Sequence, residues 1–326
     1  MRRRETIAVL AGTALTLPWA TLAQTGKTFR IGLLSGGAPI SDTSEDGAAL
    51  IRDLAQRGFV LGRDVVLERR GAMGHPDQLR RLAQDLVAAK VDVIVTWGYP
   101  AALAAHDTGL PTVTASGVGD PVATGLIASL ARPGGNVTGV SDIASDLSAK
   151  RLELLREAVP ELHRVAMLWN AGDLAMTRRY EVSASVAARL GAEVEPLGVR
   201  EPEDFAEAFA SMERERPDAI LMVADTLTVL NRRLVFDFAV LHRLPAIYEF
   251  DALVRDGGLM SYGPDRAETF ERTAALVGRI LTGSKPADLP FELPTRFKFA
   301  LNLKTATSIG LEVPPSLLAR ADEVIE

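Results

Sequence analysis

The chain runs through the same strand and helix series twice. Strand-like runs at Phe29–Ser35, Asp64–Arg70, Asp92–Gly98 and Pro111–Ser116 alternate with helical patterns. The runs at His163–Asn170, Gly191–Val199, Pro217–Thr226 and Leu244–Phe250 repeat them in the same order. The offsets are 134, 129, 126 and 134 residues (Phe29 to His163, Gly62 to Gly191, Val91 to Pro217, Leu110 to Leu244). A near-constant offset over four elements marks an internal repeat. Strands alternating with helices call for a parallel sheet covered on both faces. With 326 residues, 47% of them hydrophobic, there is material for two cores. The expected fold is therefore α/β, two similar doubly wound parallel-sheet lobes joined by a multi-strand hinge.

Local signals set the elements. Asp42 with Glu45 reads as a capping box for a helix over Thr43–Arg57, stopped at Gly58. Further helices are expected over Pro76–Lys90 and Thr124–Leu130. Another is expected over Arg266–Leu281, where Phe270, Ala274, Val277 and Ile280 fall at helical spacing. The elements beyond "GGLMSYG" exceed what one lobe needs. The chain should thus cross between lobes near Ser141, Tyr262 and Pro294. This gives a first lobe of 29–141 with 264–289 returning to it, and a second of 142–262 with 290–326 returning.

Residues 1–23 read as an export signal. Arg2–Arg4 precede the apolar "IAVLAGTALTLPWA", and "TLA" offers a cleavage site near Ala23. Loss of three Arg and one Glu takes the formal charge from −6 to −8. The chain has no cysteine. That excludes disulfides, thiol nucleophiles, cysteine metal sites and a lipid-bearing cysteine. No basic stripe invites nucleic acid. A free periplasmic monomer is expected.

Ligands of open α/β sheets bind beyond the carboxyl ends of the strands. The residues there are Ser35 and Gly36; Thr96, Trp97, Gly98 and Tyr99; Ser116 through Asp120; Asn170 beside Trp169; Asp225; and Tyr248, Glu249, Phe250 and Asp251. Tyr262 stands at a proposed crossing. Aromatics gathered beside small and polar residues describe an amphipathic cleft. Ser35, Thr96 and Ser116 open helices and suit an anion. Asp120, Asp225, Glu249 and Asp251 suit an ammonium. Together they describe a zwitterion site. Competing readings are a helix cap for Asp225, a turn for Asp120 and core packing for each aromatic. No dinucleotide, P-loop or serine-elbow motif occurs, and the four histidines are not spaced as a metal pair. No catalytic residue, metal or cofactor is expected.

Five segments carry a family resemblance: "MRRRETIAVLAG", "IGLLSGGAP", "GDPVATGLIASLARPGGNVTGVS", "GGLMSYGPD" and "RILTGSKPADLPFELPTRFKFALNLKTATSIGLEVP". The chain resembles ABC-transporter substrate-binding proteins of the tryptophan/tyrosine-binding type, with the type 1 periplasmic-binding fold. The resemblance implies a ligand clamped between hinged lobes and delivered to an ABC permease in the inner membrane. Its cleft loops fall on Ser35, Thr96–Tyr99, Ser116–Asp120, Asn170, Asp225 and Glu249. The chain departs from it at Trp97 and Tyr99, where small residues are usual, and at "VGDP", where Thr-Asp-Pro is usual. The expected function is capture of a small zwitterion, an amino acid with an aromatic or apolar side chain. A sensor module presenting its ligand to a receptor, or an enzyme on the same scaffold, are the alternatives.

Overall fold

The computed structural model describes residues 27–142 and 144–326. The proposed export signal, residues 1–23, lies outside the described residues. The chain begins with β1 (Phe29–Ser35), α1 (Glu45–Gln56), β2 (Val65–Gly71), α2 (Leu79–Ala88), β3 (Val93–Trp97), α3 (Tyr99–His106), β4 (Thr112–Ser116) and β5 (Val137–Gly139). There follow α4 (Ala144–Ala158), β6 (Arg164–Asn170), α5 (Leu174–Arg189), β7 (Glu193–Val199), α6 (Asp204–Arg214), β8 (Ala219–Met222), α7 (Thr226–Leu230), α8 (Arg232–His242), β9 (Ala246–Tyr248), α9 (Asp251–Arg255) and β10 (Met260–Pro264). The chain ends with α10 (Arg266–Leu281), β11 (Phe297–Asn302), α11 (Leu303–Ile309), α12 (Pro315–Arg320) and β12 (Glu323–Ile325).

Two sheets form. One is β2-β1-β3-β4-β5, parallel throughout. The other is β12-β11-β10-β9-β8-β6-β7, in which only the β10–β11 pair is antiparallel. Read from β6, strands β6 to β10 take the order second, first, third, fourth, fifth, as β1 to β5 do. The repeat read from residue spacing is thus a repeat of topology. In this order the sequence of strands across the sheet reverses between the first and third, which remain parallel, and a crevice opens at their carboxyl ends.

α10 shows why the chain returns to the first lobe. Phe270, Ala274, Val277 and Leu281 make one apolar stripe, packed with Ile31, Leu50 and Leu54. Burying each large side chain contributes about 1.5–3 kcal/mol. Asp265 caps the helix by accepting from Ala267 N–H.

The chain passes between sheets three times. It leaves β5 through Ser141 and Asp142, leaves β10 at Pro264, and comes back before β11. The return strand runs beside the exit strand: Glu292 N donates to Gly139 O at 2.8 Å and Ser141 N to Glu292 O at 2.9 Å. Glu268, on the first turn of α10, receives Thr295 N at 3.0 Å and Arg296 N at 2.7 Å, clasping the third crossing.

Two local expectations are corrected. Ser44, not Asp42, caps α1, accepting from Gly47 N, while Asp42 pairs with Arg69. No helix forms over Thr124–Leu130, which is a series of turns. Gly125 has a φ of +76° there, a left-handed conformation that breaks a helical path.

Candidate functional site

The carboxyl ends of the two sheets face each other across a cleft. Gly36 follows β1, Trp97 and Gly98 end β3, and Ser116 ends β4; opposite them Asn170 ends β6 and Asp225 caps α7. The cleft holds two connected cavities sharing Trp97, Gly98, Asp225 and Thr226. The smaller, of about 60 Å³, is also walled by Gly36, Asn170 and Asp173. The larger, of about 330 Å³, is also walled by Ser116, Val229, Arg232, Phe250 and Arg266.

Backbone geometry brings the lobe-one wall close. Gly98 has φ +85° and Gly117 φ +71°, values that favour glycine. Gly98 N donates to Ser116 O at 2.9 Å and Tyr99 N to Gly117 O at 3.1 Å, so the loops after β3 and β4 lie against each other. A Cβ on Gly117 would meet Gly98 Cα at 3.3 Å. Across the cleft the lobes touch. A Cβ on Gly36 would stand 2.7 Å from Thr226 Oγ1, and one on Gly119 would stand 3.2 Å from Ala175 Cβ. At the rim Arg255 Nη1 reaches Glu45 Oε1 at 3.4 Å. The cleft is closed.

Eight of the expected residues line it: Gly36, Trp97, Gly98, Ser116, Gly117, Asn170, Asp225 and Phe250. Trp97 also belongs to the core. It is 9% exposed, its ring centroid lies 6.3 Å from that of Phe270, and its Nε1–H is buried without an acceptor among the described residues. Asp225 is both cap and wall. Oδ1 accepts Thr228 N at 2.9 Å in a full capping box, and Oδ2 accepts Asn170 Nδ2 at 2.5 Å. Burial pushes its carboxyl above the usual range, against the hydrogen bonds from Thr228 and Asn170.

Seven of the others face elsewhere. Ser35 Oγ donates to Ala38 O and shapes the loop after β1. Thr96 precedes Trp97 in β3, so its side chain leaves by the opposite face of the sheet. Tyr99 is buried in an apolar cluster that joins Val118 and Ile127 to Ala175 and Met176, packing the lobes together. Asp120 accepts from Val122 N and Ala123 N, as a turn residue does. Tyr248 is fully buried edge-on to Phe236, and burial raises its phenol. Tyr262 stacks on Phe297.

Glu249 is the largest departure. It is 1% exposed and spent on the protein itself. Oε1 accepts Arg151 Nη1 at 2.7 Å; Oε2 accepts Arg179 Nη1 at 2.5 Å and Ala224 N at 3.1 Å. Arg179 also holds Asp142 at 2.5 Å, and Arg151 Nε donates to Tyr262 O at 2.7 Å. Asp142 accepts Gly119 N at 2.9 Å. The buried cluster therefore ties the exit from β5 and the end of β10 to the floor of the second lobe.

Sequence reasoning missed Asp173, Arg232, Arg266 and Asp46. Arg266 pairs with Asp46, and its guanidinium carbon stands 5.9 Å from the Phe250 ring centroid. Arg232 Nε meets Asp256 at 2.6 Å. Asp173 is 2% exposed and caps α5 through Oδ1, which accepts Ala175 N at 2.8 Å and Met176 N at 3.3 Å. Its one sequence signal was an acidic residue before a helix, which reads as a cap. Burial and then the neighbouring Asp225 push its carboxyl up to about 7, outweighing the two N–H bonds and Arg179.

A closed cleft between two repeated parallel sheets, crossed three times by the chain, defines a two-lobed solute-binding protein. Among the described residues no helix is long and apolar enough to cross a membrane, and no cluster of His, Cys, Asp or Glu is arranged to hold a metal. The model of the ABC transporter substrate binding protein family matches residues 41–325, and the chain belongs to that family. It is similar to the Tyrosine-binding protein of Clostridioides difficile (strain R20291), 24% identical over 84% of this chain and 78% of the relative. The ABC domain in complex with L-Trp from Streptococcus pneumonia superposes with a TM-score of 0.84. It is 26% identical, covering 92% of this chain and all of that one. A conserved domain protein from Vibrio cholerae O1 biovar eltor has a TM-score of 0.85 at 24% identity, covering 91% of this chain and all of that one.

Proposed function

We propose that the chain captures a small zwitterion, an amino acid with an aromatic or apolar side chain, in this cleft. It then delivers the ligand to the permease of an ABC importer. The observation that carries the reading is an imbalance of charge. Arg232 and Arg266 already face Asp256 and Asp46, whereas Asp173 and Asp225 enter no ion pair among the described residues, and the exposed Arg200 stands in the same wall without pairing with either. A ligand ammonium balances them. Phe250, Val229 and Leu253, with the Trp97 ring, offer the ligand an apolar wall. The tyrosine- and L-Trp-binding relatives support the same class. Binding favours the closed arrangement through contacts that only both lobes together supply. The protein works as a monomer outside the cytoplasm, after removal of residues 1–23.

Calorimetry of ligand-stripped protein against L-amino acids and small carboxylates tests this. One amino acid should bind, and Asp225→Ala should weaken it about tenfold to a hundredfold, the worth of a charged hydrogen bond. If no small molecule binds or stabilises the stripped protein, the reading fails. Uptake of that amino acid, lost on deletion of the gene and restored by the wild type, tests delivery.

A further inference from the structure

The larger cavity carries cations as well as acids, and one of those cations still has hydrogen bonds to give. Arg266 walls it from the start of α10 and keeps 25% of its side-chain surface. A guanidinium carries five N–H donors. Only those of Nη2 meet an acceptor among the described residues, Asp46 on α1. The Asp46 pair therefore balances the charge of Arg266 without using up its donors. Rings flank the group. Its Cζ lies 6.0 Å from the centroid of Phe270, one turn along α10, and 5.9 Å from that of Phe250, across the cleft on the second lobe. Arg232, the other arginine of this cavity, is committed to its own lobe. It donates Nε to Asp256 at 2.6 Å and Nη1 to Val229 O at 2.8 Å. A second free donor lies beside Arg266. Ser116, Phe250 and Arg266 together wall both the larger cavity and one of about 20 Å³ at the lobe junction, so the three are neighbours. Ser116 is half-buried, and its Oγ enters no hydrogen bond among the described residues. Both donors stand on the first lobe, while Asp225 walls the same cavity from the second.

We propose that Arg266, with Ser116 beside it, is the seat of the ligand's carboxylate and the residue that makes the cleft select a carboxylate-bearing ligand. The inference rests on the zwitterion reading above and assigns the half of the ligand that Asp173 and Asp225 leave unaddressed. A guanidinium presents a planar fork of donors on a charge that does not titrate away, which matches a carboxylate better than the point charge of an ammonium does. Asp46 and Phe270 belong to the same lobe as Arg266. The fork is thus held independently of closure, and little ordering is left for the ligand to impose. Closure then brings Phe250 against it from the other side. The ligand's carboxylate meets the first lobe and its ammonium the second. A ligand lacking either end keeps the polar contacts of one lobe and draws the two together less. The charges are consistent: a zwitterion adds none, and Arg266 is already paired.

Titration calorimetry of the ligand-stripped protein decides it. The probes are two amino acids, L-tryptophan and L-leucine; their amines without the carboxylate, tryptamine and 3-methylbutylamine; and their acids without the ammonium, indole-3-propionate and 4-methylpentanoate. The wild type should bind the better amino acid about tenfold to a hundredfold more tightly than its amine, the worth of a charged hydrogen bond. In Arg266→Gln the amino acid should fall to within about threefold of the amine. Ser116→Ala should weaken the amino acid alone by about fivefold, as a neutral hydrogen bond does. Arg266→Lys, which keeps a cation for Asp46 but not the fork, should recover part of the loss. Thermal melts of the unliganded variants report folding separately, and a merely structural role for Arg266 would weaken amino acid and amine alike. An equal loss for the two, an unchanged amino-acid affinity in Arg266→Gln, or an amine that binds the wild type as tightly as its amino acid overturns the proposal. If neither amino acid binds but one of the acids does, and Arg266→Gln abolishes it, the carboxylate seat stands and the zwitterion reading falls. If that acid binds Arg266→Gln unchanged, or if no carboxylate binds at all, the proposal is overturned.

Discussion

Replacing Glu249 by glutamine separates a ligand contact from a structural charge. Glu249 is 1% exposed and sits between two arginines that are 3% and 2% exposed. Glutamine keeps the shape and removes the charge. It leaves Arg151 and Arg179 against one remaining carboxylate, Asp142, and turns one amide N–H toward a guanidinium. Removing one partner of a buried pair costs about 3–5 kcal/mol, because the charge left behind stays out of water. At roughly 2–4 °C per kcal/mol for a chain of this order of size, the thermal midpoint should fall by about 6–20 °C. The ligand affinity of the folded variant should change little, since neither oxygen of Glu249 reaches the cavities. Thermal melts by circular dichroism and calorimetry well below the transition give the two numbers. A midpoint within about 2 °C of the wild type, together with lost binding, would refute the reasoning and return Glu249 to the ligand.

Trp97→Ala should act on both quantities. It removes a ring that is 9% exposed and packed on Phe270, costing about 3–5 kcal/mol, and it also weakens ligand binding; a loss of only one of these argues against the dual placement. Gly36→Val should oppose closure, because a Cβ there meets Thr226 Oγ1 at 2.7 Å. Affinity should fall at least about tenfold with the thermal midpoint unchanged, and Thr226→Ala on the same chain should restore part of it, as titration and small-angle scattering would reveal. Glu45→Ala at the rim should matter little, below about 1 kcal/mol, since Arg255 there is half-exposed and keeps Asp251 and Glu323; a large salt-sensitive loss of affinity would contradict that. Acid should loosen the third crossing through Glu268. Burial opposes its ionisation, but hydrogen bonds from Thr295, Arg296 and Arg272 hold its carboxyl down to about 2. Its folded value lies below its unfolded one, so the stabilisation, of about 3 kcal/mol, is complete above about pH 4.5 and lost as pH falls toward 2; Glu268→Gln should flatten that part of the stability profile.

The alternation of apolar runs and helical patterns determined the two sheets, because the period of a buried strand and the stripe of a helix are written locally. The offset between halves carried the repeat, and α10 was legible from one apolar stripe. The strand ends were legible too, which brought Gly36, Trp97, Gly98, Ser116, Gly117, Asn170, Asp225 and Phe250 to the cleft. What sequence could not decide was the face on which each side chain leaves. Thr96 and Trp97 are neighbours in β3, and the pleat sends their side chains to opposite faces of the sheet, Trp97 to the face covered by α10, where as the last residue of the strand it also borders the cleft. Nor could it decide which charges were already spent. Glu249 reads as an acid awaiting an ammonium until Arg151 and Arg179, 98 and 70 residues away along the chain, close on it. Asp173 reads as an ordinary helix cap until folding strips its water and sets Asp225 beside it. Order along the chain fixes which elements form. The ionic state and exposure of a side chain depend on neighbours that only the packed tertiary structure supplies.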